Sequence, residues 1–202
     1  MKKPEVRWEI INLIAKKIEA KKYLEIGVES GITFQYVNVP YKVGVDPDPN
    51  CKPEFVKYPF HSDKFFSNNN ENFDIIFIDG LHHAEQVYKD IKNSLSILNP
   101  GGVIICHDML PPTENHQIVP RMQGQWNGDC WKAWLILRSE NEFLNMNIVD
   151  VDFGCGIIMK GHQELADFNS TLYYEQMTYD MLIENMHKMN VIGIDEFVKS
   201  WT

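Results

Sequence analysis

FDIIFIDG, residues 73–80, is the stretch on which the fold turns. A continuous apolar run closed by an acid and a glycine fits a strand buried on both faces, as in a parallel sheet. After it, Ala84, Val87, Ile91, Leu95 and Leu98 recur at spacings of three and four. That period predicts a helix, stopped at Asn99-Pro100-Gly101-Gly102. GVIICHD, residues 102–108, then repeats the apolar run into an acid. Strand, helix and strand in this order imply a parallel α/β sheet with right-handed crossovers.

Working outward, Val6, Ile10, Leu13, Ile14 and Ile18 place an amphipathic helix within residues 5–20. KKYLEIG (21–27) reads as a strand, SGITFQYVNV (30–39) as a helix beginning at Ser30, and YKVGVD (41–46) as a strand ending at Asp46. PDPNCKP (47–53) is a turn, and a weak strand is expected near Val56 to Phe60. Past the central unit, residues 109–128 are long and polar, as functional lids often are. DCWKAWLILRSE (129–140) is a predicted helix. NMNIVDVD (145–152) and GCGIIMK (154–160) form an expected antiparallel hairpin at the sheet edge. Residues 163–202 hold one or two further helices.

The 202 residues suit one domain. A formal charge of −9 argues against a nucleic-acid partner, which needs a basic face. There is no long apolar run for a membrane span and no signal-peptide core after Met1-Lys2-Lys3, so a cytoplasmic protein is expected. Cys51, Cys106, Cys130 and Cys155 are widely spaced, which fits reduced, buried thiols better than a zinc site or a disulfide framework.

EIGVESG (25–31) joins the first strand to its helix. A dinucleotide site starting at Gly27 wants glycines where Glu29 and Ile32 stand, and these would repel and obstruct a diphosphate. An acid within the strand end followed by G-x-x-x-G suits a cationic ligand without phosphate. Asp46, ending the next strand, can accept from both hydroxyls of a ribose. Together with the acid after FDIIFI, the Pro-Gly-Gly before GVIIC and the closing hairpin, these features resemble class I S-adenosylmethionine (SAM)-dependent methyltransferases from Tyr23 to about Lys160. Within them, FIDGLHHAEQVYKDI, LNPGGVIICHDMLP and WNGDCWKAW resemble a bacterial subgroup of small methyltransferases linked to glycan or secondary-metabolite modification.

The resemblance implies a Rossmann-like, doubly wound, mostly parallel sheet within a single domain. Residues 1–22 would form an N-terminal helix, 23–160 the SAM-binding core and 161–202 a helical extension. Glu25 would face the methionine amino group, Gly27 and Gly31 would let the backbone close on the methionine, and Asp46 would hold the ribose. Ser62 and Asp63 lie where this family contacts adenine, although Asp63 would equally start a helix. Asp79 would belong to both the cofactor and the catalytic sites.

Methyl transfer is an in-line displacement, so the protein must align the acceptor and, for a hydroxyl, remove its proton. If the strands ending at Asp79 and at His107-Asp108 are neighbours, their backbones lie about 4.8 Å apart and the three side chains converge. His82 or His107 is the candidate base, because imidazole titrates near neutrality. The related metal-dependent O-methyltransferases bind Mg²⁺ at these strand ends. Here His107 breaks the all-oxygen set, so Mg²⁺ or Mn²⁺ on Asp79, His107 and Asp108 is disfavoured. His83 is expected to be a bystander and Glu85 to favour the helix start. His116, Trp126, Asp129 and Trp131 are lid candidates, Trp131 and Trp134 being expected rather to anchor their helix. Tyr173, Tyr174, Met177 and Met181 read as a helical packing stripe.

These residues point to methylation of a small-molecule acceptor, an oxygen on a sugar or glycosylated metabolite. A homodimer through the first and last helices is a further expectation. The competing readings are a SAM-binding regulatory module without catalysis and an NAD-dependent oxidoreductase. The glycine loop opposes the latter, and a hydrolase lacks its G-x-S-x-G elbow.

Overall fold

The computed structural model describes residues 2–122 and 124–202. In chain order the elements are α1 (Arg7–Lys17), β1 (Lys22–Ile26), α2 (Ile32–Tyr36), β2 (Tyr41–Val45), α3 (Ser62–Asn68), β3 (Phe73–Ile78), α4 (Ala84–Ser96) and β4 (Leu98–Cys106). They continue with α5 (Glu114–Gln117), α6 (Cys130–Glu140), β5 (Leu144–Val149), β6 (Cys155–Lys160), α7 (Tyr179–Glu184), β7 (Val191–Ile192) and α8 (Ile194–Trp201). The strands form one sheet in the order β2-β1-β3-β4-β6-β5-β7. The first four are mutually parallel, β6 runs antiparallel to both β4 and β5, and β7 is parallel to β5. The architecture is the expected Rossmann-like, mostly parallel sheet with an antiparallel pair.

Two apolar layers cover it. Ile10, Ile14, Tyr23, Phe34 and Phe197 belong to the layer that takes in α1, α2 and α8. Val87, Ile91, Trp131, Trp134 and Leu182 belong to the layer of α4, α6 and α7. Residues 75–78 of β3 and 102–106 of β4 are buried throughout, which is why these parts of the sequence show unbroken apolar runs rather than alternation. Burying each Ile or Phe of such a run contributes about 1.5–3 kcal/mol.

Several expectations are corrected. Val56–Phe60 is not a strand: Tyr58 makes only an isolated bridge to Val45, and Pro59 has no amide with which to extend a ladder. The helix after Asp79 ends at Ser96, and Asn99-Pro100-Gly101-Gly102 lies within β4, where the register against β3 slips between Phe73 and Ile75. The hairpin is not the edge, because β7 pairs outside β5. No single helix carries the stripe Tyr173, Tyr174, Met177 and Met181. A 3₁₀ turn spans Tyr174–Gln176, Tyr173 is exposed and Met177 is buried. All four cysteines are free and buried. Among the described residues, no helix is long and apolar enough to cross a membrane.

Candidate active site

The chain runs from β1 outward to β2 and then returns to the other side of β1 as β3, so strand order reverses between β1 and β3. Ligands of open α/β sheets bind above strand C-termini at such a switch. A cavity of about 690 Å³ lies there, within the range of small-molecule sites.

Its cofactor side begins at β1. Gly27 has φ +86°, and a β-carbon on it would stand 2.2 Å from the Asp79 carbonyl oxygen. Only glycine permits both the left-handed backbone and this approach of one strand end to the next. Glu25 is buried beneath the loop, and the Tyr23 hydroxyl donates to its Oε2 at 2.5 Å. Burial, with the Asp79 charge adding, outweighs that hydrogen bond and the Arg7 charge and pushes the Glu25 carboxyl up to about 8. Asp46 lines the cavity too. Its Oδ2 accepts from the amides of Val28 (2.7 Å) and Glu29 (2.9 Å), and its Oδ1 from that of Asp48 (2.8 Å). Three of about four lone-pair positions are thus engaged, so Asp46 also organises the glycine loop. Gly31 stands away from the cavity, its open side filled by the Phe55 ring.

Ser62 and Asp63 both line the cavity and both occupy the first turn of α3. Gln86 Nε2, from α4, lies within hydrogen-bonding distance of Ser62 Oγ (3.1 Å), Asp63 Oδ1 (3.0 Å) and, on its own helix, Asp90 Oδ1 (3.0 Å). Its two N–H groups are thus shared among three acceptors and link α4 to α3.

The chemistry-bearing side lies at the ends of β3 and β4, which are parallel neighbours with Ile78 opposite Cys106. Asp79, His107 and Asp108 follow directly and converge as expected. His107 Nδ1 lies 3.2 Å from Asp79 Oδ1 and 3.2 Å from Asp108 Oδ2, and its Nε2 lies 3.6 Å from Asp152 Oδ2. His82 bridges the same acids, with Nε2 3.3 Å from Asp79 Oδ1 and Nδ1 3.4 Å from Asp108 Oδ2. Arg7 Nε reaches within 3.6 Å of Asp79 Oδ2. Burial opposes charge on Asp79, but the His107 charge and the hydrogen bonds from both imidazoles hold it well below the usual carboxylate range. Burial likewise opposes charge on the imidazoles; the charges of Asp79 and Asp108 and the hydrogen bonds to them raise both, His107 the further. Asp152 is half-buried and, against that burial, is lowered to about 2 by the same His107 and by Arg7. Three carboxylates are thus interleaved with two imidazoles and one guanidinium.

A divalent metal would find Asp79, His82 and Asp108 with ligand atoms within 4.8 Å of one another; His82, not His107, completes that set among the described residues. An imidazole in it suits transition metals better than Mg²⁺. Both carboxylates already face imidazoles that favour the protonated form, and Asn127 Nδ2 donates to Asp108. The donor set therefore fits a self-neutralised cluster better than a cation cage.

The lid closes this side. Trp126 stacks on His82, with ring centroids 5.3 Å apart and planes at 22°, and His83 meets its edge at 6.1 Å. Of the four lid candidates, Trp126 alone lines the cavity. Trp131 is buried with Nε1 donating to Gln117 Oε1 at 2.6 Å, and Trp134 Nε1 donates to the Met189 carbonyl at 3.0 Å, so both are anchors. Asp129 caps α4, accepting the Ala84 amide at 2.7 Å, while His116 offers its carbonyl to the amides of Asn127 and Gly128. Glu85 is exposed and pairs with Lys89 at 2.8 Å. Arg7, Gln86, Asn127, Asp152 and Phe153 were not expected at the site. Gln86 and Asn127 lie within stretches that carry the resemblance but have no assigned role there. Arg7 reads as one polar position of an amphipathic helix, Asp152 as the end of a strand, and Phe153 as part of a plain connection.

A family model described as a methyltransferase domain matches residues 45–109, which include Asp46, Asp79, His82, His107 and Asp108. Among solved structures, the SAH-bound methyltransferase PaMTH1 of Podospora anserina superposes with a TM-score of 0.56 at 18% identity, over 78% of this chain and 78% of that one. The O-methyltransferase TomG of Streptomyces achromogenes, involved in tomaymycin synthesis and solved with SAM, gives 0.55 at 12% identity, over 76% and 79%. An O-methyltransferase of Bacillus cereus solved with SAH gives 0.52 at 16%, over 77% and 80%. No curated protein matches the chain. The chain has the class I SAM-dependent methyltransferase fold, with a methyltransferase domain matched over its central third.

Proposed function

We propose that the protein is an enzyme that transfers a methyl group from SAM to an oxygen of a small-molecule acceptor. The observation that carries this is one cavity joining the Glu25–Gly27 loop to the cluster of Asp79, His82, His107 and Asp108. SAM would supply a methyl already activated by its sulfonium. Glu25 would face the cofactor's amino group, Gly27 would let the backbone close on the methionine, Asp46 would take the ribose with its remaining lone pair, and Ser62 and Asp63 would meet the adenine.

His82 is the base in this reading. Its side chain is 19% exposed against 5% for His107, and it alone of the two stacks on the lid. The carboxylates on either side that raise its proton affinity make it a stronger acceptor for a hydroxyl proton. Asp79 and Asp108 hold the ring and stabilise the imidazolium, and His107 supplies fixed positive charge between the same acids. The finer reading is an acceptor hydroxyl on a sugar or glycosylated metabolite. It is supported by the presence of an aromatic side chain, Trp126, in the cavity wall beside His82, on which it stacks.

Calorimetric titration with S-adenosylhomocysteine and, separately, NAD tests the cofactor: NAD binding alone would overturn the assignment. Turnover of glycosides and nucleotide sugars, with and without EDTA, tests the rest. Tight cofactor binding without product across acceptor classes would favour the regulatory module. Loss of activity in EDTA with recovery on Mn²⁺ would restore the metal.

A further inference from the structure

The cavity wall is rich in acids, with Glu25, Glu29, Asp46, Asp63, Asp79 and Asp108 all contributing. Such a wall suits the ammonium and the sulfonium of SAM. It does not suit the third charge, the methionine carboxylate, which needs a cation at the Glu25 end. Arg7, the first residue of α1, is there: it lines the cavity with Glu25 and Thr33, and its charge acts on Glu25.

The guanidinium is held on two sides. Nε donates to Thr33 Oγ1 at 2.8 Å and Nη1 to Asp152 Oδ2 at 3.0 Å, while the Arg7 amide donates to the same Asp152 Oδ2 at 2.9 Å. Nη2 makes no hydrogen bond to the described residues. Asp152 is itself fixed in an unusual turn: Asp152, Phe153 and Gly154 have successive φ values of 50°, 64° and 88°. Left-handed backbone at two non-glycine residues costs free energy, and such strain gathers where side chains must be held in place.

From this geometry we infer that Arg7, oriented by Asp152 and Thr33, is the anchor for the cofactor's carboxylate. The inference rests on the proposed SAM reading and adds a residue from outside the matched domain. It makes α1 part of the binding site, and Asp152 a positioning residue shared by Arg7 and His107.

The test compares two ligands by calorimetry: S-adenosylhomocysteine and its decarboxylated analogue, which keeps the amine but lacks the carboxylate. Wild-type protein should bind the first about 10- to 100-fold more tightly, the range expected for a charge-assisted contact. Arg7→Gln should abolish that preference by losing affinity for S-adenosylhomocysteine alone, and Asp152→Asn should reduce it. Equal loss for both ligands would mean that Arg7 only holds α1 in place, and an unchanged preference would mean that the carboxylate sits elsewhere; either result overturns the inference. Should Arg7→Gln not fold, Arg7→Lys keeps a charge toward Asp152 without the planar fork and should still narrow the preference. Failure of folded wild-type protein to bind either ligand would instead refute the SAM reading itself.

Discussion

Tyr23 and Glu25, two residues apart on β1, point to the same face and share a 2.5 Å hydrogen bond beneath the glycine loop. The carboxyl is thereby given a partner in an apolar setting, and burial raises it to about 8. An unfolded glutamate titrates near 4.3, so between about pH 4.3 and 8 the folded chain binds more protons than the unfolded one. Stability from this group is fully present below the lower value and is lost as pH rises through that interval, by at most about 1.4 kcal/mol per pH unit. Urea unfolding at several pH values in this window should show wild type losing stability relative to Glu25→Gln. Parallel pH profiles for the two proteins would show that Glu25 is already ionised.

The same residue should report on ligand binding. An ammonium placed against Glu25 favours its carboxylate, so S-adenosylhomocysteine should expel a proton at pH 7, where the free protein holds one. Titrations in phosphate and in Tris, whose ionisation enthalpies differ, should give different heats, and the difference should vanish in Glu25→Gln. Buffer-independent heats in the wild type would place the amine elsewhere.

Much of the sheet was legible because burial on both faces leaves a run such as IIFI, residues 75–78, with no polar position to suggest alternation. The acids after β3 and β4 were legible for a related reason, since parallel neighbours deliver their C-terminal residues to one edge. What escaped the sequence depends on distance along the chain or on backbone that no residue type announces. Arg7 and Asp152 are 145 positions apart, and Asp129 caps α4 from 45 positions away. Asp108, Asp152 and Phe153 adopt positive φ without being glycine. Val191–Ile192 is too short to stand out from the helical pattern around it.

His82 sits between Asp79 and Asp108 but outside the cofactor loop, which separates its effect on chemistry from any effect on binding. Replacing it by asparagine keeps a hydrogen-bonding group of modest size and removes the proton acceptor. Turnover should fall by about 10²- to 10⁴-fold. Affinity for S-adenosylhomocysteine should stay within about threefold, less than 1 kcal/mol. A variant that keeps its turnover would shift the role of base to another group.

Gly128 meets the His82 carbonyl so closely that a β-carbon there would stand 1.9 Å from the oxygen, and its φ is +65°. This contact, together with the Asp129 amide donating to the same carbonyl at 3.2 Å, clamps the lid's C-terminal end onto the segment bearing the proposed base. Gly128→Ala should destabilise by about 1–3 kcal/mol through backbone strain alone, with the clash adding to it. Gly101 offers the control: its φ is +76°, but a β-carbon there meets nothing within 4 Å. Gly101→Ala should show the strain without the contact, so the difference in unfolding free energy between the two variants isolates the clamp. Turnover should fall in Gly128→Ala and stay near wild type in Gly101→Ala. Equal stability losses and equal turnover in both would show that the lid does not need Gly128 to hold His82 in place.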